Sequence, residues 1–273
     1  MFARRLSIPR THLRRLISAG AIALAFAGST ATPTSAAASD SAEDTQALQG
    51  TAISHAEVLR MVQGMERAYT KVDDYTSTFI KRERVKGRLM PREVMFVKFA
   101  APFNLYIKWT KGKREGQELL YVRGWNDGKI RAHTGKFPDI TVDLDPDGSL
   151  ASRGNRHPIT DFGLGNMIDL LARDVRLAGA RPHDKVTYLD LGTSKIGDAT
   201  VRCVEATTPT ARWSPYYAYK ARMCINQRTQ MPVRVIIWDR DEQLLEDYTY
   251  KNIRLNVGTT SADFSPENPN YGF

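Results

Sequence analysis

Residues Gly154–Leu171 read GNRHPITDFGLGNMIDLL. The stretch holds an Arg, a His, two Asp and a Gly-x-Gly ahead of an apolar run. It therefore suits either a catalytic or phosphate-holding loop or the lead-in to a helix that covers a binding surface. Spacing favours the helix. Gly163-x-Gly165 lacks the third glycine and the preceding strand of a dinucleotide site. Leu164, Met167, Ile168 and Leu171 instead recur at helical spacing and make one apolar stripe. Thr160 or Asp161 is placed to cap this helix, Pro158 fixes its approach, and Arg156 and His157 are expected to anchor the loop by hydrogen bonds. The helix should run to about Arg176.

What this helix must cover follows from its surroundings. Six strand-like runs precede it: YTSTFIKRERV, EVMFVKFAAP, FNLYIKWT, QELLYVRGW, KIRAHTG and ITVDLDP. Five follow it: VTYLDLG, ATVRCVEATT, YYAYKARMCINQ, PVRVIIWDRD and QLLEDYTYKNIRLN. Asn126-Asp127-Gly128 and Asp239–Glu242 supply turns between them. In NLYIKWT, Leu105, Ile107 and Trp109 share one face opposite Tyr106 and Lys108, the alternation of a sheet with one apolar and one wet side. A second helix precedes all of these strands. Ser54-x-x-Glu57 forms a capping box, and Val58, Met61, Val62, Met65 and Tyr69 make a Met-rich stripe to about Val72.

Ten or eleven short strands with two helices, and no alternation of strand and helix, exclude a doubly wound fold. The economical architecture is mainly β with helices (α+β). It is a single antiparallel sheet, curved so strongly that its apolar face encloses a space the helices cover. The expected organisation is a signal peptide at 1–38, a flexible mature N-terminus at 39–50 and one domain at 51–273.

The leader sets the compartment. Arg4, Arg5, Arg10, Arg14 and Arg15 precede an apolar run from Leu16 to Ala27, and Ala36-x-Ala38 offers a cleavage site. The run is shorter than the ~20 residues a membrane span needs. Export to the periplasm with cleavage near Ala38 is expected. The whole chain carries 39 Lys and Arg against 30 Asp and Glu. The leader takes five Arg and no acid with it, which lowers the net charge from +9 to +4. The basic pI is therefore weak evidence for nucleic acid, and no recognised motif supports it. About 235 residues after the leader suffice for one sizeable core.

Cys203 and Cys224 are the two cysteines, and in an exported chain a disulfide is the expected state. Their flanks read as neighbouring strands. If Cys203 faces Cys224 across an antiparallel pair, the same register sets Glu205 opposite Arg222 on the face of the sulfurs.

Tests for chemistry come out negative. Asp143-x-Asp145-x-Asp147-Gly148 imitates a calcium loop but has Gly154 where a bidentate Glu is required. Asp145–Gly148 reads as a type I turn. His55, His133, His157 and His183 are scattered without zinc spacing, and G-x-S-x-G and S-x-x-K are missing. The paired carboxylates Glu246-Asp247 read as solvent-facing. No catalytic residue, metal or cofactor is expected.

The aromatics point elsewhere. Tyr217, Tyr219, Ala221, Met223 and Ile225 form one alternate face, suited either to core packing or to lining a pocket for an acyl chain. The candidate ligand-binding residues are Met61, Met65, Leu105, Ile107, Trp109, Leu164, Met167, Ile168, Leu171, Tyr217, Tyr219 and Met223.

The DLDPDG turn, the GNRHPITDFGLGNMIDLL stretch, CVEATTP and the closing MPVRVIIWDRDEQLLEDYTYKNIRLNVGTTSADFSPENPNYGF resemble an uncharacterised exported bacterial family. That family in turn resembles the LolA/LolB lipoprotein-carrier superfamily. The match covers roughly Val58 to Phe273. The resemblance implies a half-open antiparallel barrel with helices as a lid over an apolar cavity. It also implies a carrier or binding protein for lipid, acylated or other apolar envelope molecules. For the carrier's cavity arginine, Arg82, Arg92 and Arg222 are the candidates. Expected partners are lipid or acylated-protein cargo and an envelope protein, with transient membrane contact and a monomeric state. An envelope sensor or assembly factor that binds protein surfaces is the alternative function, and a secreted hydrolase the third.

Overall fold

In the computed structural model, residues 50–209 and 214–273 are described. The expected signal peptide, its cleavage site and nearly all of the polar segment after it lie outside the described residues. The strands are β1 (Thr51–Ala52), β2 (Asp74–Val85), β3 (Arg88–Leu89), β4 (Glu93–Ala100), β5 (Asn104–Lys111), β6 (Glu118–Val122), β7 (Ile130–His133) and β8 (Thr141–Leu144). After the interior helix come β9 (Thr187–Ile196), β10 (Ala199–Thr207), β11 (Lys220–Asn226), β12 (Pro232–Trp238) and β13 (Leu244–Leu255). The helices are α1 (His55–Tyr69) and α2 (Leu164–Ala180).

All the strands join one antiparallel sheet in the order β1-β9-β10-β11-β12-β13-β2-β4-β5-β6-β7-β8, with β3 added to β2. The chain thus makes two runs of neighbouring strands, joined where β13 pairs with β2. These are the longest strands, and they lie mid-sheet. The sheet does not close, because β1 and β8 are both edges. Edge β8 is only four residues long, and its Asp143 pairs with Arg131 at 3.0 Å, a short charged edge that discourages further pairing.

Alternation sends Tyr75 and Phe79 of β2, Met95 and Val97 of β4, and Leu105, Ile107 and Trp109 of β5 to the concave face. These residues join Val58, Val62 and Met65 of α1 and Leu164, Ile168 and Ala172 of α2 in one buried cluster. The capping box forms as the sequence predicts: Glu57 N donates to Ser54 Oγ at 3.2 Å and Ser54 N to Glu57 Oε2 at 3.0 Å. α1 ends at Tyr69, three residues before the expected limit.

α2 departs from expectation at its start. Its N-cap is Gly163 at φ 117°, with no side-chain cap, and Thr160 and Asp161 sit in a short 3-10 turn, Ile159–Asp161. Gly163 turns the chain too late for either residue to cap. Leu164 N instead donates to the Tyr75 hydroxyl at 3.2 Å, and Asn166 Nδ2 donates to the Thr160 carbonyl at 3.1 Å. The helix also runs on past Arg176 to Ala180.

The two helices lie antiparallel and in close contact. Gly165 near the start of α2 abuts the Tyr69 ring at the end of α1, and Gly179 abuts the His55 ring at its start. His55 Nε2 bonds the Val175 carbonyl at 2.9 Å, and Arg176 pairs with Glu66. The convex face has two fastenings. The Cys203–Cys224 disulfide forms in the predicted register, with Arg222 Nη2 2.9 Å from Glu205 Oε2. The closing segment folds back over β5 and β6. Its Tyr271 ring stacks on Tyr106 at 3.8 Å, Phe264 packs beside Tyr106 and Leu120, and Asp263 holds Lys98 at 2.7 Å.

A Cβ at Gly165 would lie 2.6 Å from the Tyr69 ring. Gly165→Val should therefore push the helices apart and lower stability by about 1–3 kcal/mol. Urea unfolding checks this, and an unchanged midpoint would show that the helix contact tolerates bulk.

Candidate functional site

The concave face gathers most of the residues predicted to bind ligand. Met65, Leu105, Ile107, Trp109, Leu164, Ile168 and Met223 are buried together in the main cluster, with Met61, Met167, Leu171 and Tyr217 packed against it, partly exposed. Tyr219 is outside that cluster and, with Tyr216, Tyr217 and Asp241, lines a cleft of about 460 Å³. Tyr217 and Tyr219 precede β11 and are not part of it. The segment is drawn out of the ladder because Tyr217 N donates to Asp174 Oδ2 and the Tyr216 hydroxyl to Asp184 Oδ2, each at 2.8 Å. Side chains from both helices occupy the concave face: Val62, Met65 and Leu164 are fully buried against the fully buried Tyr75 and Leu105. Ser77, between Tyr75 and Phe79 on the same face, carries a buried hydroxyl with no partner among the described residues.

Toward one end of β2 and β13 the concave face changes character. Phe79 pairs with Tyr250, Lys81 with Tyr248, and Glu83 with Glu246. The two carboxylates are thus directly opposed, and both are buried, at 5% and 2% exposure. Their partners come from the loop Asn155–His157. Arg156 Nε donates to Glu246 Oε1 at 2.7 Å, and Arg156 N to Glu83 Oε2 at 3.2 Å. His157 Nε2 lies 3.2 Å from Glu246 Oε1 and 2.8 Å from the Tyr217 hydroxyl. The Tyr217 and Tyr248 hydroxyls donate to Glu246 and Glu83, and Lys81 binds Asn155 and Glu83. Glu93 extends the network to Lys81 and to Trp109, whose ring carries the Arg114 guanidinium 3.8 Å from its centroid.

The loop that leads into α2 is thereby fastened to the sheet, as the sequence predicted for Arg156 and His157. The expected solvent exposure of Glu246-Asp247 is corrected. Glu246 faces inward to this network, and Asp247, on the outer face, pairs with Arg234 at 2.9 Å. The three candidate cavity arginines are corrected too. Arg82 lies opposite Asp247, Arg222 holds Glu205 and Arg92 reaches Asp247, so all three are on the convex side. At the concave mouth Lys81, Arg156 and His157 meet the two opposed carboxylates, with Arg114 beside Glu93.

Charge in the network is mutually tuned. The hydrogen bond to Glu246 raises the His157 pKa despite burial. Burial alone would raise the Glu246 pKa, but hydrogen bonds from His157 and Tyr217, with Arg156 close by, outweigh it, and the net shift is downward. Burial beside Glu246 and Glu83 pushes the Tyr217 and Tyr248 hydroxyls well up, which keeps them donors. Among the described residues no cluster of His, Cys, Asp and Glu could hold a metal ion, and no helix is long and apolar enough to cross a membrane. Asp145–Gly148 forms the predicted turn, with Gly148 N donating to the Asp145 carbonyl at 2.9 Å.

Residues 72–273 match the model of a family described as "Protein of unknown function (DUF1571)". Among curated proteins none is similar to the chain. Similar solved structures include the lipoprotein LppX of Mycobacterium tuberculosis, 16% identical, with a TM-score of 0.45 over 76% of this chain and 99% of that one. A LolA superfamily protein from Nitrosomonas europaea is 12% identical, with a TM-score of 0.32 over 76% and 97%. The Pseudomonas aeruginosa MucA/MucB complex gives 12% and 0.43 over 77% and 60%. These likenesses are distant.

The raised His157 pKa means that its contribution to stability is complete below its unfolded value of about 6.5 and is lost as pH rises through the folded value. The lowered Glu246 pKa adds stability above about pH 4.3, lost as pH falls through the folded value. The network should hold best between those limits. His157→Gln should show its largest loss of melting temperature in that window, shrinking at alkaline pH. A deficit independent of pH would show that His157 carries no charge there.

Proposed function

The chain belongs to the DUF1571 family, and for this member we propose an exported binding protein of the cell envelope. It carries an acylated or otherwise apolar molecule against the concave face of its sheet, beneath α1 and α2. The observation that carries this reading is the continuous apolar concave face, covered by a helix pair whose lead-in loop is fastened by polar contacts. Gly165 and Gly179 let the two helices approach closely, Gly165 against Tyr69 and Gly179 against His55, so that they form one cover.

A buried acyl chain gains about 0.8 kcal/mol per CH₂, so a chain of about fourteen carbons offers on the order of 10 kcal/mol against the same surface the helices now occupy. The predicted leader and the Cys203–Cys224 disulfide both favour an oxidising envelope compartment. Binding, not catalysis, suits the mouth. His157, Tyr217 and Glu246 bond one another and Arg156, so their polar atoms are spent on holding the loop.

A second reading, a sensor or assembly factor for protein surfaces, is favoured by one observation: side chains already fill the concave face. Native mass spectrometry with lipid extraction separates the two. The carrier reading expects co-purified lipid and saturable uptake of a fluorescent fatty acid. It also expects Arg156→Ala, which loosens the lid, to take up the probe on the order of tenfold faster, equivalent to about 1.4 kcal/mol. A chain that is always empty and never binds the probe overturns it.

A further inference from the structure

Among the described residues the most exposed large apolar side chain is Phe137, at 98% exposure, at the tip of the β7–β8 hairpin, with Ile140 beside it at 44%. The tip is preformed. The Thr134 hydroxyl lies 2.7 Å from the Pro138 carbonyl and accepts from Ile140 N at 3.1 Å. Backbone contact between Gly135 and Gly116 sets the tip against the β5–β6 turn. That turn carries exposed Lys111 and Lys113, and the tip itself carries exposed Lys136. Exposed Arg92 stands at the same end of the sheet, its carbonyl within contact distance of Gly112. At these two turns three lysines face two exposed acids, Glu115 and Asp139, while Arg92 already pairs with Asp247 at 3.7 Å.

We infer that this end of the sheet is a docking face for an anionic lipid bilayer, with Phe137 entering the acyl boundary and the lysines meeting the headgroups. The chemistry points to a membrane. An exposed aromatic side chain on a tip that carries a lysine, beside a second turn that carries two, gains from both apolar burial and attraction to anionic headgroups. A rigid tip loses little freedom on insertion. The inference is independent of the carrier reading, because uptake of a fatty acid could fail while docking persists.

Co-sedimentation of the chain, isolated after export, with vesicles tests it. Vesicles of phosphatidylcholine with about one-third phosphatidylglycerol should bind it, and vesicles of phosphatidylcholine alone should bind it far less. Phe137→Ser should weaken binding about tenfold. The combined Lys111→Glu, Lys113→Glu and Lys136→Glu variant should abolish the preference for anionic lipid, as should high salt. All four positions are exposed, so thermal melts should be unchanged and loss of binding will not reflect unfolding. Absence of sedimentation with anionic vesicles, or variants that bind like the wild type, overturns the inference. So does a photocrosslinker at position 137 that captures a polypeptide and no lipid.

Discussion

Glu83 and Glu246 sit opposite one another across the β2–β13 junction, and both are buried. Two like charges directly opposed on one face of a sheet are destabilising, and buried charges left without partners are more so. Among the described residues the junction is also the only ladder that joins the two runs of strands. The fold can keep this register only if cations and donors are brought to the concave mouth. Arg156 and His157 arrive from the loop, Lys81 from β2, and the tyrosine hydroxyls from either side. Fixing the loop fixes where α2 begins, and so where its apolar stripe meets the sheet.

The remaining fastenings follow from the same curvature. A curved sheet has a concave face that needs covering and a convex face that water reaches. On the concave side the cover must be thin, and glycines at Gly165 and Gly179 let the helices touch ring against backbone. On the convex side the closing segment stacks Tyr271 on Tyr106 and sets Gly272 N on the buried Glu118 at 3.0 Å. The last part of the closing motif, Asp263 to Phe273, thus grips the outer face, while its earlier part forms β12 and β13.

Local patterns were legible wherever both partners lie close in the chain or share a period. The Ser54–Glu57 box, the two helical stripes and the alternation of Leu105, Ile107 and Trp109 all read correctly. So did the register that sets Cys203 on Cys224 and Glu205 on Arg222. Misreadings occurred where the deciding partner is remote. Glu246 looked solvent-facing because an acid in a strand has no local reason to be buried, and its partners stand about ninety residues earlier in the chain. One signal was available: alternation puts Glu246, Tyr248 and Tyr250 on one face, so an apolar face that ends in an acid implies a polar mouth. The cap of α2 was misplaced because Gly163, read only for its part in a failed dinucleotide motif, turns the chain after Thr160 and Asp161 have passed. The candidate arginines Arg82, Arg92 and Arg222 all fall on the convex side, whereas the arginine that reaches the concave mouth, Arg156, comes from a loop.

The helix pair is held to the sheet by two kinds of contact that would respond differently to its lifting. The polar contacts of Arg156, His157 and Tyr217 exchange for water when the loop lifts, and the net loss is about 0.5–1.5 kcal/mol for each neutral bond and more where charge is involved. The apolar contacts of Met65, Leu164 and Ile168 have no such substitute, because water cannot replace them at all. A ligand that stabilises the open arrangement must therefore supply apolar surface along the face the helices vacate. A polar ligand would compete only with water at the mouth and would leave the larger loss uncompensated. For the binding function proposed above, this division into a polar fastening and an apolar underside would select a ligand by chemistry before any specific contact is made.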